Sequence, residues 1–176
     1  DGWTVDATLP TITGLADDSA WTTSKTWSWG CNEGGCEYRY LIDLSSSTAP
    51  TGSYGATTSH TQSTGSGQYY IHVQARDSSL NEGPITHVFA NIDNDEPSQP
   101  TAINDGTTFA STTESPIITW GASTDPHSGL SHYEFAVGSS PGTDDISSWT
   151  NIGNTTSHQA TSLSLIDGTT YYASVR

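Results

Sequence analysis

Short runs of alternating apolar and polar residues recur along this chain, separated by Gly, Pro, Ser and Asn. Over residues 25–29, Trp27 and Trp29 fall on one face. Over 37–42, Tyr38, Tyr40 and Ile42 share a face. Over 69–75 the shared set is Tyr69, Ile71, Val73 and Ala75, and over 86–92 it is Val88, Ala90 and Ile92. A period of two with one apolar face is what a sandwich strand requires. No run carries the 3.6-residue period of an amphipathic helix. The pattern predicts an all-β chain whose interior is filled largely by aromatic side chains.

The pattern then repeats. Residues 24–30 match 115–121, which sets Trp29 against Trp120. Tyr38-Arg39-Tyr40 matches Tyr133-Glu134-Phe135, and 67–73 matches 168–175 with an offset of one. The two Trp are 91 positions apart, close to the roughly 100 residues of an immunoglobulin-like sandwich. Two sandwiches in tandem are expected, over 9–94 and 95–176. Residues 1–8 form an N-terminal strand or the tail of a preceding repeat, because 1–10 align with 88–97 and so place Asp6 on Asp93.

Leu165-x-x-Gly168-Thr169-x-Tyr171 resembles the tyrosine corner of fibronectin type III domains, and Trp120 sits where that family keeps a core Trp. The first copy carries Trp-Ser-Trp-Gly-Cys, a second Cys after a short loop, and Asp77-x-x-x-Asn81-Glu82. It resembles immunoglobulin-like repeats of large bacterial surface proteins. The resemblance implies two immunoglobulin-like or fibronectin type III-like β-sandwiches with a structural role. Seven strands are expected in copy one. Copy two reaches its sixth strand at residues 172–176 and lacks its last strand within this chain. Two readings fit the ends: a window cut from a longer array, or strand exchange between copies of the chain. In the second reading, Trp3 and Val5 of one copy would pair beside Tyr171, Ala173 and Val175 of another, since an open edge recruits strands.

Charge narrows the partners. Four basic residues stand against nineteen acidic ones, for a net charge of −15. A nucleic-acid interface needs clustered Lys and Arg to meet phosphates, so that class is excluded. No stretch approaches the roughly 18 apolar residues of a membrane span, which excludes helical membrane insertion. Leu, Ile, Val and Phe make up only about 15% of the chain, a level that with this charge signals disorder. The 17 aromatic residues oppose that reading, because they alternate regularly and each buries a large area. The expected partners are other copies of the chain or adjoining repeats, with surface glycan as a further candidate.

Cys31 and Cys36 flank a four-residue loop between the second and third strands. Strand ends that close on each other meet disulfide geometry, and a disulfide implies an oxidising, extracellular or cell-surface location. Free thiols are the alternative, and two Cys alone do not complete a zinc site.

Three candidate sites follow. Asp93, Asn94, Asp95 and Glu96 form an acidic junction, to which Asp125 of one loop and an Asp17-Asp18 turn are expected to converge as calcium ligands; calcium takes six to eight hard oxygens. The alternative is a set of solvated acidic turns. The 77–82 loop is a second calcium candidate. Trp21, Tyr54 and Trp149 fall outside the core-facing sets and would stack on sugar rings, against the alternative of peripheral packing. Six His residues are spread singly, with His72 and His87 expected to face each other on the outer side of copy one. No nucleophile elbow, phosphate loop or HExxH motif occurs, so no enzymatic activity is expected. Asn154-Thr155-Thr156 is a glycosylation sequon. The expected function is an extracellular stalk, filament or adhesin segment, with a non-catalytic carbohydrate-binding module as the alternative.

Overall fold

The computed structural model describes residues 2–106 and 116–176. Asp1 and Ser115, both used in the repeat alignment, lie outside them. The chain divides into two compact units, Asp1–Asp95 and Glu96–Arg176. All regular structure among the described residues is β.

Unit one contains β1 (Ile12–Thr13), β2 (Asp18–Thr22), β3 (Lys25–Ser28), β4 (Gly30–Cys31), β5 (Glu37–Asp43), β6 (Ser59–Gln62), β7 (Gly67–Arg76) and β8 (Thr86–Ile92). One sheet runs β2-β8-β7-β5. Against it lie the pairs β3-β6 and β1-β4. Among the described residues there are eight strands where seven are expected, because the second predicted strand is interrupted at Trp29. The Trp29 backbone N–H still reaches Thr58 O at 2.9 Å, so the interruption leaves that backbone donor paired. Strand β2 runs parallel to β8 with a bulge between Asp18 and Trp21, while β7 pairs antiparallel with both β5 and β8.

The core lies between these layers: Trp27 and Trp29 from one side, Tyr38, Ile71, Val73, Ala75, Val88 and Ala90 from the other. Each fully buried large side chain contributes roughly 1.5–3 kcal/mol. Two indoles and a phenol thus supply what a conventional sandwich takes from aliphatic residues.

Among the described residues, the N-terminal alternation forms no strand within a single copy of the chain. Residues 2–11 pair with no strand, and Trp3 and Val5 are exposed at 89% and 81%. Alternation alone does not make a strand; a neighbouring edge must satisfy its backbone groups. The segment is nevertheless anchored at its end. Pro10 is fully buried, and its carbonyl lies so close to Gly83 that a Cβ there would overlap it.

Unit two contains β9 (Thr101–Asn104), β10 (Ile117–Gly121), β11 (Tyr133–Gly138), β12 (Ser147–Gly153), β13 (Ser157–Gln159) and β14 (Tyr172–Val175). Its sheets run β13-β10-β9 and β12-β11-β14. Ile118, Trp120, Tyr133, Phe135, Val137 and Ala160 form the buried core, with Tyr171, Ala173 and Val175 packed against it. The repeat holds at the level of single bonds: Trp120 N–H donates to Thr156 O at 3.1 Å, as Trp29 does to Thr58. Tyr133 buries its ring edge-on to Trp120, and its hydroxyl accepts the Ser123 N–H at 2.7 Å. A buried phenol needs such a partner.

Candidate functional site

All four basic residues of the chain are committed to internal pairs. Lys25 bonds Asp18 at 2.6 Å, Arg39 reaches Glu82 at 3.2 Å, Arg76 bonds Glu37 at 2.6 Å, and Arg176 bonds Glu134 at 2.7 Å. Partly exposed pairs of this kind each contribute little to stability. Their consequence is positional, because the guanidinium groups also lie over the expected sugar-binding rings. Arg39 and Arg76 sit 4.7 and 4.5 Å from the Tyr54 ring centroid, and Arg176 sits 4.2 Å from that of Trp149. Burial pushes the Tyr54 hydroxyl above its ordinary range. Tyr54 and Trp149 are therefore half-buried cation–π partners. Trp21 is the most exposed of the three, at 38%.

Cys31 and Cys36 form a disulfide with Cα atoms 6.6 Å apart. It closes the loop that leads from β4 to β5. Asn32 inside the ring exchanges two bonds with Thr11: its Oδ1 accepts the Thr11 N–H at 2.7 Å, and its N–H donates to Thr11 O at 3.1 Å. The ring thus ties the N-terminal segment to unit one.

The expected junction ligands are distributed differently from the sequence reading. Asp17 and Asp18 form no turn beside Asp93. Asp17 immediately precedes β2 and Asp18 opens it, alongside the middle of β8: Asp17 Oδ1 accepts the Phe89 N–H at 3.0 Å, and Asp18 pairs with Ala90. The residue that meets Asp93 is Thr22, whose carbonyl accepts the Asp93 N–H at 2.9 Å. The parallel register of β2 on β8 causes this, since it carries the start of β2 away from the end of β8. A hydrogen bond from Lys25 lowers the Asp18 carboxyl below its usual range, with the Ala20 N–H adding to the effect.

Within unit one, Asp93 is buried, and its Oδ1 accepts from Ser66 Oγ and the Asp95 N–H. Asn94 donates through Nδ2 to Gly65 O. Glu96 is exposed at the start of unit two. In unit two, Asp125 Oδ1 accepts the N–H groups of His127 and Gly129.

Asp77, from the loop that is the second calcium candidate, is joined by Asp6 and Glu33, which that candidate does not include; each has a carboxylate oxygen within 4.8 Å of the others. Asp77 is buried and accepts the Ser79 and Asn81 N–H groups and Asn81 Nδ2. Burial raises its pKa, but these bonds outweigh burial and hold it below the usual carboxylate range. Asn81 Nδ2 also reaches Asp6 O at 3.1 Å. Three carboxylates are half or less of a calcium shell.

On the outer face of the β5-β7-β8 sheet, His72 and His87 stand opposite each other in register, as the sequence predicts. Their Nδ1 atoms are 2.6 Å apart, and His72 Nε2 lies 3.1 Å from Asp43 Oδ1. His72 is fully buried. Asp43 was not foreseen; it reaches His72 because β5 pairs with β7.

No protein-family model matches the chain, and no curated protein does. Among solved structures, the chain is similar to the FN1–FN3 domains of chicken CNTN1, at 13% identity and a TM-score of 0.35 over 94% of this chain. It spans 59% of that structure's length. It is also similar to the D00–D0 domain of intimin, at 13% identity and a TM-score of 0.35, over 95% of this chain and 85% of the other.

Proposed function

We propose that this chain is a structural, non-catalytic segment of an extracellular stalk or adhesin, and that unit one bears load. The observation that carries this reading is the parallel pairing of β2 and β8. β8 is the last strand of unit one, and β2 is the first strand of its four-stranded sheet, preceded only by the two-residue β1. Tension applied through the two ends pulls parallel neighbours in opposite directions along their axes. Their interstrand bonds are then loaded together in shear, whereas a hairpin peels one bond at a time. Side chains reinforce the pair where its bulge interrupts it: Asn91 Nδ2 donates to Ser19 O at 2.9 Å, and Asp17 receives the Phe89 N–H. The disulfide supports an oxidising location.

Single-molecule force spectroscopy tests the proposal. Unit one pulled from its ends should resist substantially more than the same unit pulled through cysteines placed to peel β8 from β7. Equal forces in the two geometries overturn it. The carbohydrate-binding alternative rests on Trp21; binding on a glycan array that is lost in Trp21→Ala would favour it.

A further inference from the structure

His72 occupies a position that alternation assigns to the outer face of its sheet, yet it is fully buried. Its ring is spanned from both ends. Nε2 faces Asp43 Oδ1 on β5, and Nδ1 faces His87 Nδ1 on β8. Tyr70, two residues earlier on β7, lies parallel to it at 6.3 Å. The remaining charged groups of these strands are engaged elsewhere: Arg39 with Gln74 and Glu82, Arg76 with Glu37, Asp17 with the Phe89 N–H, and Asp18 with Lys25. Asp43 is itself fixed by the Ser45 N–H and by Thr48.

We infer that Asp43, His72 and His87 form a clasp between β5, β7 and β8 that accepts one proton while closed and opens on the second. The argument is one of hydrogen-bond stoichiometry. Nε2 of His72 beside a carboxylate oxygen carries its hydrogen. In the neutral pair, His72 Nδ1 is then an acceptor, and His87 donates through Nδ1–H. A first added proton enters at the exposed edge of His87, Nε2, and leaves that bond intact; transfer of the shared hydrogen to His72 also keeps it. A second proton has no site except the lone pair already used in the Nδ1–Nδ1 bond. Two N–H groups would then point at each other across 2.6 Å, so the clasp must open.

The unfolded chain has no such limit, and both His take protons below their ordinary value of about 6.5. Unfolded unit one therefore binds one more proton than the folded form. Its folding equilibrium should weaken by up to about tenfold per pH unit as pH falls below that value. The Asp43 carboxyl does not produce this loss between pH 7 and 5. Burial raises its pKa, but bonds from Thr48, Ser45 and His72 outweigh burial and hold it below the usual carboxylate value.

The test compares the full chain with His87→Ala by hydrogen exchange of the β7 and β8 amides between pH 7.5 and 4.5. In the variant, His72 Nδ1 is free to take its own proton beside Asp43. The wild type should lose protection more steeply than the variant, by up to about tenfold per pH unit. Parallel profiles overturn the inference. Nitrogen-15 NMR of the wild-type imidazoles gives a second reading that does not depend on the variant folding. One ring of the pair should become imidazolium while the amides stay protected; two doubly protonated rings in the folded state refute the clasp.

Discussion

The Tyr171 hydroxyl accepts the backbone N–H of Ile166 at 3.0 Å, five residues back along the chain. That bond fixes the approach to β14, and with it the depth at which Ala173 and Val175 enter the core of unit two. Tyr171→Phe keeps the ring and removes the acceptor. It should destabilise unit two by about 1 kcal/mol, read from urea unfolding, with unit one unchanged.

Gly83 packs directly against the backbone of Pro10. It donates to Ala75 O at 2.9 Å, its own carbonyl accepts Gln74 Nε2 at 2.7 Å, and a Cβ would overlap Pro10 O. Both neighbours are backbone or well packed and cannot yield cheaply. Gly83→Ala should cost about 1–3 kcal/mol and raise protease cleavage within residues 2–11, as the segment is displaced. An unchanged melting temperature with an unchanged digest would contradict this packing.

Reduction of Cys31–Cys36 opens a short ring of sequence separation 5. Loop-closure entropy assigns such a ring about 2 kcal/mol. Thermal melts of unit one with and without a thiol reductant should differ accordingly. Hydrogen exchange at Thr11 and Asn32 should rise on reduction, since their paired bonds depend on the ring.

Asp145 accepts the Ser139 N–H and hydroxyl and the Thr143 hydroxyl. These bonds lower its pKa from 3.8 to about 2. A carboxylate depressed in the folded state stabilises it fully above the unfolded value and loses that effect as pH falls through the folded one. Asp145→Asn should therefore melt below wild type at pH 7, and the gap should close between pH 4 and 2.

Asn91 is buried between Ser19 O and Gln68 Nε2. Asn91→Ala should cost about 1–3 kcal/mol by leaving buried groups unpaired. Under end-to-end tension it should lower the unfolding force of unit one by a larger fraction than an equally destabilising core change such as Val88→Ala. An equal fractional loss would argue against the β2–β8 pair as the bearing element.

The sequence by itself determined the class and repeat of this protein. Period-two alternation specifies strands, and it does so even where Trp and Tyr replace Leu and Val, because burial depends on area and facing. It also placed Trp29 against Trp120, His72 against His87, and the ring between Cys31 and Cys36, all of which are set by local spacing and adjacent-strand register. What only the tertiary structure decided are the contacts that depend on which edges meet. The parallel seating of β2 on β8 moved Asp17 and Asp18 away from Asp93. The β5–β7 pairing brought Asp43 to His72. The folding of three distant loops gathered Asp6, Glu33 and Asp77. The residues over Tyr54 and Trp149 come from other strands, so their cover was invisible to a one-dimensional pattern. Trp3 and Val5 show the same limit from the other side: a strand-like pattern becomes a strand only when a partner edge satisfies its backbone.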